Sequence, residues 1–448
     1  MVRKLRSLVA VAFAALLAVA LLPSAAFALD TKGGSLTVSN LNEGDTVNLY
    51  QVASVTVNAD NTLNKTWIIV PTSGKTVDDY EKADETGRKS IANDLAAKVF
   101  STSATAVATQ KVTGTTSATF SNLDPGLYYA SVSNADDVSR VYANTLIPVN
   151  LKANADGTWG YDTALIVPLK DSNVSILKGA ATHENGAHET QTQTGVSTNG
   201  TVFYKIDVVV PNYNGAANRD FLVKDKLPDG IEYIAGTMKV NGTATDPVVS
   251  TGGNISVDLA SYLASSAGQT VSITYQAKLT GTAPIENGRT NTATLLFSAN
   301  SYDATQKTVS DSVTVANAGI KIHKTAEDGK TALQGAEFQL LDKDGTTVLD
   351  TKTTDANGDL TFDYALASGT YTIKETKAPA GYSLVENQSV SVEARDNAYK
   401  TVDIIDPKDH AAGLLPTTGG TGTIAITVLG VAVIAGTAAL IVRGRRQD

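Results

Sequence analysis

Short apolar runs with a period of two constrain the fold of this chain more than any other feature. Between residues 30 and 410 they recur roughly every eight to twelve residues, a spacing typical of strands joined by turns. The runs include residues 35–38, 202–210, 271–279, 292–297, 337–341 and 370–374. Turn-forming pairs such as Asn241-Gly242 and Asp344-Gly345 separate them. This pattern predicts β-sandwiches.

One segment departs from the pattern of alternating strands. Residues 77–100 carry apolar side chains at helical spacing. We expect one or two helical turns there, crossing a linker.

Length, cysteine content and charge bound the remaining possibilities. At 448 residues the chain is too long for one core, so several domains are expected. It contains no cysteine, which means that any covalent reinforcement of an exported form must use chemistry other than disulfides. The formal net charge of −9 argues against nucleic-acid binding.

The first 28 residues have the organisation of a secretory signal peptide. A basic start is followed by an apolar run over residues 8–22 and by Ala26-Phe27-Ala28. Small residues at Ala26 and Ala28 suit a signal peptidase. Residues 1–28 are therefore predicted to be removed on export.

The C-terminal end combines a short motif, an apolar segment and a basic tail. Leu415-Pro416-Thr417-Thr418-Gly419 precedes apolar residues 424–442 and three terminal arginines. As a helix the apolar segment would span about 28 Å, close to the thickness of a bilayer's hydrocarbon core. The arginines would stay in the cytoplasm. This tail would hold the pentapeptide just outside the membrane.

The C-terminal arrangement resembles the cell-wall sorting signal of sortase substrates. The resemblance implies that a sortase cleaves between Thr418 and Gly419 and transfers the Thr418 carbonyl to an amine. It further implies a Gram-positive surface protein, anchored transiently in the membrane and then covalently at the cell wall.

Three modules lie between the two processing signals. Composition places them at residues 29–170, 171–316 and 317–409, followed by the sorting segment 410–448. We expect each of the three to be rich in strands.

The modules resemble the domains of Gram-positive fimbrial shaft subunits. In the third, residues 320–325, 335–340 and 371–382 are similar to the collagen-adhesin B-type repeat, whose E-box matches residues 375–382. The second is similar to the isopeptide-forming middle domain of these pilins through residues 203–211 and 223–230. The first resembles their N-terminal domain more loosely, through residues 48–51 and 120–128. The resemblance implies an all-β chain of three tandem immunoglobulin-like sandwiches.

In this family an amide bond joins a lysine to an asparagine or aspartate inside a module. The physics requires a buried lysine, whose pKa falls on desolvation, and a protonated acid nearby that polarises the acceptor carbonyl. In the second module, Lys178 follows two inward positions, and the resemblance assigns Asp225 as the acid and Asn291 as the acceptor. Asn300 is the alternative acceptor.

The third module offers a corresponding set of residues. Lys324 alternates with Ile320 and Ile322 on the first strand, and Glu375 is an inward carboxylate in the E-box. The resemblance assigns the acceptor to Asp406, with Asp403 as the weaker candidate. We find no comparable trio in the first module and predict no bond there.

A polymerising pilin also needs an acceptor amine for the sortase reaction. The family places this lysine at the end of an alternating stretch that closes the first domain. Residues 161–170 match that stretch and end at Lys170, although Pro168 stands one residue earlier than in the family. Lys170 is the predicted polymerisation lysine.

These features predict a major structural subunit of a covalent surface fimbria that supports adhesion. The alternative is a monomeric wall-anchored adhesin that binds a host matrix protein or glycan. Expected partners are pilus-type and housekeeping sortases, identical subunits, tip or base pilins and peptidoglycan. The host ligand is left open, and no nucleic acid is expected. We expect no cofactor, no metal site and no enzymatic activity beyond the autocatalytic bonds.

Overall fold

The computed structural model describes residues 33–134, 139–162, 165–190, 192–213, 219–281, 285–286, 288–298 and 306–409. The predicted signal peptide, the sorting motif Leu415–Gly419, the apolar segment 424–442 and Asn300 lie outside these residues. The all-β prediction is confirmed, because most described residues lie in strands that form pairs of packed sheets. No helix in the described ranges is long and apolar enough to cross a bilayer.

The described residues of the first module form eleven strands and two helices. They are β1 (Gly34–Ser39), β2 (Thr46–Val57), β3 (Leu63–Trp67), α1 (Val77–Lys82), α2 (Glu85–Ser101), β4 (Ala108–Lys111), β5 (Ser117–Leu123), β6 (Gly126–Ser133), β7 (Arg140–Tyr142), β8 (Leu146–Val149), β9 (Leu151–Ala153), β10 (Trp159–Tyr161) and β11 (Leu165–Pro168). A sheet of order β3-β2-β6-β8 faces a smaller sheet of order β11-β1-β5. Strand β11 runs parallel to β1, so the end of the module returns beside its start.

The expectation of one or two helical turns across a linker was wrong. Helix α2 has 17 residues, is capped by Asp84 and packs against β6 of the first module, while α1 packs against α2 and β3. Leu95 and Val99 are buried in this contact. The apolar surface on which the helix packs comes from strands that are distant in the sequence. The spacing of apolar residues within the helix does not reveal that surface.

The second module is a sandwich of two larger sheets. Its elements are β12 (Asp171–Asn173), β13 (Ser175–Ala181), β14 (Thr192–Thr194), β15 (Thr201–Val209), β16 (Phe221–Lys226), β17 (Ile231–Tyr233), β18 (Lys239–Val240), β19 (Thr243–Ala244), β20 (Val248–Ser250), β21 (Asn254–Asp258), α3 (Tyr262–Ser265), β22 (Thr270–Leu279), β23 (Arg289–Ser298) and β24 (Gln306–Ala316). One sheet has the order β13-β15-β22-β18-β19, and the other β14-β24-β23-β16-β21-β20. Inward residues of both sheets form one continuous core.

Strand β12 pairs with β7 of the first module and not with the sheets of the second. The first strand of the second sandwich is therefore β13. Between β18 and β19, Asn241 and Gly242 both have positive φ, as a tight hairpin turn requires.

The third module is a smaller sandwich. Its elements are β25 (Gly319–Ala326), β26 (Glu337–Leu341), β27 (Val348–Thr353), β28 (Asp359–Thr361), β29 (Gly369–Lys377), β30 (Gln388–Val392), a 3₁₀ turn (Ala394–Asp396) and β31 (Tyr399–Asp406). Sheet β28-β25-β31 packs on sheet β27-β26-β29-β30 around an apolar core. Strand β31, the last of the module, runs parallel to its first strand, β25.

Candidate functional site

The middle module holds a buried lysine between its two sheets. Lys178 lies on β13, where alternation with Val174 and Ile176 turns its side chain inward, and it has no exposed surface. Asp225 on β16 and Asn291 on β23 point inward from the opposite sheet, and both are buried. These two strands pair directly, with Asp225 opposite Ala293. The lysine therefore reaches across the sandwich to an acid and an amide on adjacent strands.

A tyrosine hydroxyl connects these three side chains. Lys178 Nζ donates to Asp225 Oδ2 at 2.6 Å, and the Tyr275 hydroxyl donates to the same oxygen at 2.6 Å. Asn291 Nδ2 donates to the Tyr275 oxygen at 2.8 Å, and Lys178 Nζ lies 3.3 Å from that oxygen. Four groups with no or almost no exposed surface thus form one hydrogen-bonded cluster.

Opposing effects act on the acidity of the lysine in this cluster. Desolvation by burial lowers the pKa of Lys178, although the charge of Asp225 opposes this effect. The Tyr204 and Tyr275 rings lie 4.9 Å and 5.5 Å from Nζ, and they stack on each other at 5.2 Å. Burial raises the pKa of Tyr275 well above its ordinary value, so its hydroxyl keeps its proton.

The third module holds a second buried lysine. Lys324 on β25, Glu375 on β29 and Asp406 on β31 are all buried in the core. Lys324 Nζ lies 3.4 Å from Glu375 Oε1 and hydrogen-bonds to Asp406 Oδ1. The Phe338 ring lies 5.4 Å from the same amine. Here the amine contacts two carboxyl groups directly.

Burial also changes the acidity of the two carboxyl groups. Desolvation raises the pKa of Glu375, opposed by the Val385 backbone N–H and by Lys324. Desolvation likewise raises the pKa of Asp406, opposed by Lys324. Glu375 Oε1 and Asp406 Oδ2 have no hydrogen-bond partner. One proton shared between these oxygens would satisfy both, which favours a protonated acid beside the acceptor.

The middle module shows the same pattern of unsatisfied oxygens. Asp225 Oδ1 and Asn291 Oδ1 are buried without a hydrogen-bond partner. A proton on Asp225 would make it a donor, and a carbonyl oxygen is the acceptor such a donor needs. Both clusters therefore bring an amine, a carboxyl group and an acceptor carbonyl carbon together, the components of amide formation.

The structure places the other predicted residues in different settings. Asp403 is exposed on β31 and is not part of the third-module cluster. The Lys170 side chain is 76% exposed, with Nζ 4.0 Å from Glu85 Oε1. The Lys170 carbonyl accepts a hydrogen bond from Ala143 N at 2.8 Å, which holds the backbone while the amine projects into solvent.

Among its described residues, the first module contains no buried lysine. Its buried polar groups pair with one another instead, as where Asn144 Nδ2 donates to Asn93 Oδ1 at 2.9 Å. Tyr129 donates its hydroxyl to Asn144 Oδ1 at 2.9 Å, which connects β6 to helix α2 through the two asparagines. No group of three metal-ligating side chains is assembled in the described ranges.

Sequence reasoning missed the aromatic residues around both amines. Tyr204 and Tyr275 occupy inward positions of β15 and β22, and Phe338 occupies one on β26. The sequence did contain a signal for Tyr275. It is a tyrosine on an inward face that is otherwise aliphatic, since Val271, Ile273 and Ala277 share that face. The pairing of Tyr204 with Tyr275 across β15 and β22 was not visible in either strand alone.

Comparison with protein families and known proteins agrees with this architecture. A model described as SpaA, a prealbumin-like fold domain, matches residues 318–408, and a model of the LPXTG cell wall anchor motif matches residues 407–448. The trypsin-resistant surface T6 protein of Streptococcus pyogenes serotype M6 is 25% identical over 305 residues. That match covers 60% of this chain but only 56% of the relative's length.

Two solved structures share the fold over most of the chain. The T6 backbone pilin of serotype M6 Streptococcus pyogenes matches with a TM-score of 0.65 and 20% identity, over 82% of this chain and 81% of the pilin. The major pilin SpaD of Corynebacterium diphtheriae matches with a TM-score of 0.54 and 20% identity, over 84% and 98%. The chain has the modular fold of these proteins and is anchored at the cell wall as a surface protein.

Proposed function

We propose that this chain, a pilin in its fold and its sorting signal, is the major structural subunit of a covalently polymerised surface fimbria. The observation that carries the proposal is the modular fold shared with the T6 backbone pilin over four fifths of both chains, together with the anchor motif at residues 407–448. In this role the protein is a substrate of a sortase and supports adhesion. It does not act as an enzyme on other molecules.

The subunit joint would form between Thr418 of one copy and Lys170 of the next. A sortase would cleave after Thr418, and the Lys170 amine would replace the sortase as the partner of the Thr418 carbonyl. The exposure of the Lys170 side chain on a fixed backbone supports this assignment, because an incoming acyl-enzyme needs an accessible amine. At one end of the fibre a base pilin or peptidoglycan would take the Thr418 carbonyl, and at the other end a tip pilin would be joined to the free Lys170 amine.

Two internal amide bonds would reinforce the fibre. In the middle module Lys178 would condense with Asn291 and release ammonia, with Asp225 as the acid. In the third module Lys324 would condense with Asp406 and release water, with Glu375 as the acid. The burial and the contacts of both clusters support this chemistry. Folding holds Lys178 against its acid Asp225 and Lys324 against its acceptor Asp406. A pulling force would then pass through covalent amides.

Co-expression of the full chain with its pilus-type sortase tests the joint. Wild type should give a ladder of high-mass species that survives boiling in detergent. Lys170→Arg should remove the ladder, because a guanidinium keeps the charge but is not a nucleophile at neutral pH. Lys152→Arg, at another exposed lysine of the same module, should leave it unchanged.

The outcomes separate the two functional hypotheses. A wild-type chain that gives no ladder beside its sortase would contradict the shaft role and leave the monomeric adhesin. A ladder that persists in Lys170→Arg would assign the acceptor to another lysine.

A further inference from the structure

The Tyr275 hydroxyl is in contact with every polar side chain of the middle-module cluster. Its oxygen accepts from Asn291 Nδ2 at 2.8 Å and lies 3.3 Å from Lys178 Nζ, and its proton goes to Asp225 Oδ2 at 2.6 Å. The ring is fully buried between Tyr204 at 5.2 Å and Tyr233 at 6.0 Å. The hydroxyl is therefore held at the point where nucleophile, acid and leaving group meet.

Release of ammonia requires that Lys178 Nζ lose protons and that Asn291 Nδ2 gain one, and an acid must take part in both transfers. Transfer of one proton from the Lys178 ammonium to Asp225 gives a neutral amine and a neutral acid. The amine's lone pair then forms a bond to Cγ of Asn291, which leaves Nζ with a proton to lose. The bond from Cγ to Nδ2 breaks only when Nδ2 has gained a proton, and the products are one amide and one NH₃.

Asp225 is poorly placed to protonate the leaving nitrogen, Asn291 Nδ2, by itself. Its Oδ2 already accepts from both Lys178 and Tyr275, and its Oδ1 makes no hydrogen bond. The hydroxyl of Tyr275, in contrast, contacts Nδ2 directly. Once Cγ becomes tetrahedral, Nδ2 is no longer conjugated and changes from a donor to an acceptor, so the hydroxyl can turn its proton toward it.

We propose that Tyr275 is a catalytic residue of the middle-module reaction, in which its hydroxyl gives a proton to Asn291 Nδ2 as it receives one from Lys178 Nζ or from Asp225. The proposal rests on the Lys178–Asn291 bond proposed above. The proton passes through the hydroxyl without forming a free phenolate, which agrees with the strong preference of this buried phenol for its neutral form.

The third module explains why a hydroxyl is required in one site only. Its proposed acceptor is a carboxyl group whose hydroxyl would leave as water, and Lys324 Nζ contacts both this Asp406 carboxyl and the Glu375 carboxyl. The aromatic ring near the Lys324 amine is Phe338, which has no hydroxyl. The acid can reach the leaving oxygen without an intermediary.

The test follows the reaction in freshly made full-length chain. Wild type, Tyr275→Phe and the control Tyr233→Phe are produced by cell-free synthesis and quenched at intervals. Proteolysis and mass spectrometry then measure the fraction of linked Lys178–Asn291 peptide. Tyr233 is the matched control because its ring packs on Tyr275 while its hydroxyl makes no hydrogen bond. Tyr275→Phe should slow bond formation about a hundredfold, the usual contribution of a positioned proton donor, and Tyr233→Phe should not.

Two further measurements distinguish catalysis from packing. In a Lys178→Met background, where no bond can form, the change in melting temperature on Tyr275→Phe measures the structural cost of losing two buried hydrogen bonds. The slowing of bond formation by Tyr275→Phe should be far larger than this cost explains. In an Asn291→Asp background, where water replaces ammonia as the leaving group, Tyr275→Phe should slow the reaction far less than it does with asparagine.

The possible outcomes are separable. Unslowed bond formation in Tyr275→Phe would overturn the proposal, as would slowing that tracks a loss of melting temperature or that is equal for Asn291 and Asn291→Asp. Absence of linked peptide in the wild type would instead contradict the proposed middle-module bond itself.

Discussion

The two lysine clusters use similar components in different arrangements. In the middle module the amine and the acceptor amide meet through the Tyr275 hydroxyl, with Asp225 as the only carboxyl group of the cluster. In the third module Lys324 contacts two carboxyl groups, Glu375 and Asp406, with no hydroxyl between them. On the proposed chemistry, this difference corresponds to the two leaving groups, ammonia in the middle module and water in the third.

The first module extends the comparison. Its described core buries asparagines and an aspartate that pair with one another, and no lysine among them. A buried lysine without a fixed acid would cost several kcal/mol of folding free energy. A module without the predicted internal amide bond would therefore be destabilised by such a lysine.

The largest expected effect comes from removing the middle-module acceptor. Asn291→Ala leaves the Lys178–Asp225 pair in place but prevents the covalent closure of a loop of roughly 110 residues, which should reduce the free energy of unfolding by about 4–5 kcal/mol. Calorimetry of the middle-module transition measures this change. Thr290→Ala, on the same strand but exposed, is the control. A change below about 1 kcal/mol in Asn291→Ala would contradict a closure there.

A smaller effect should appear in the pH dependence of the third module. Burial raises the pKa of Glu375, so the folded state binds a proton more tightly than the unfolded state does. The stability from this proton is complete below the ordinary glutamate pKa of about 4.3 and is lost as the pH rises toward the folded value.

Thermal melting of the third module between pH 4 and pH 7 measures this dependence. The wild-type melting temperature should fall across the range, because the folded state loses the proton that it binds more tightly. Glu375→Gln should flatten the slope, because glutamine does not titrate. An unchanged slope in this variant would mean that another group binds the proton.

The smallest expected effect is a change of leaving group in the third module. Asp406→Asn should form the bond more slowly, because Phe338 offers no hydroxyl to the leaving nitrogen. The reaction should release ammonia in place of water, so that the mass loss changes from about 18 Da to about 17 Da. Stability should be nearly unchanged, because the same amide results. Asp403→Asn, at the exposed aspartate of the same strand, should leave the loss at about 18 Da. If that substitution changed the loss and Asp406→Asn did not, the acceptor would be Asp403.

Strand alternation identified the inward residues because it is a local property of the backbone. Lys178 and Asn291 each lie in step with apolar neighbours on their own strand, whereas Asp225 was assigned from the family resemblance, and the structure finds all three buried. The helix α2 was underestimated for the opposite reason. Its stability comes from packing against β6, and a strand nearly thirty residues away leaves no trace in the spacing of the helix itself.

By itself, the sequence determined the class of fold, the sorting signal and the inward position of each reactive side chain, since these depend on neighbouring residues. Only the tertiary structure decided which strands became neighbours. It brought β31 back beside β25, which sets Asp406 against Lys324, and it paired β15 with β22, which stacks Tyr204 on Tyr275. Contacts between distant strands depend on the packing of whole sheets, and so the hydroxyl that joins Lys178 to Asn291 appears only in the folded molecule.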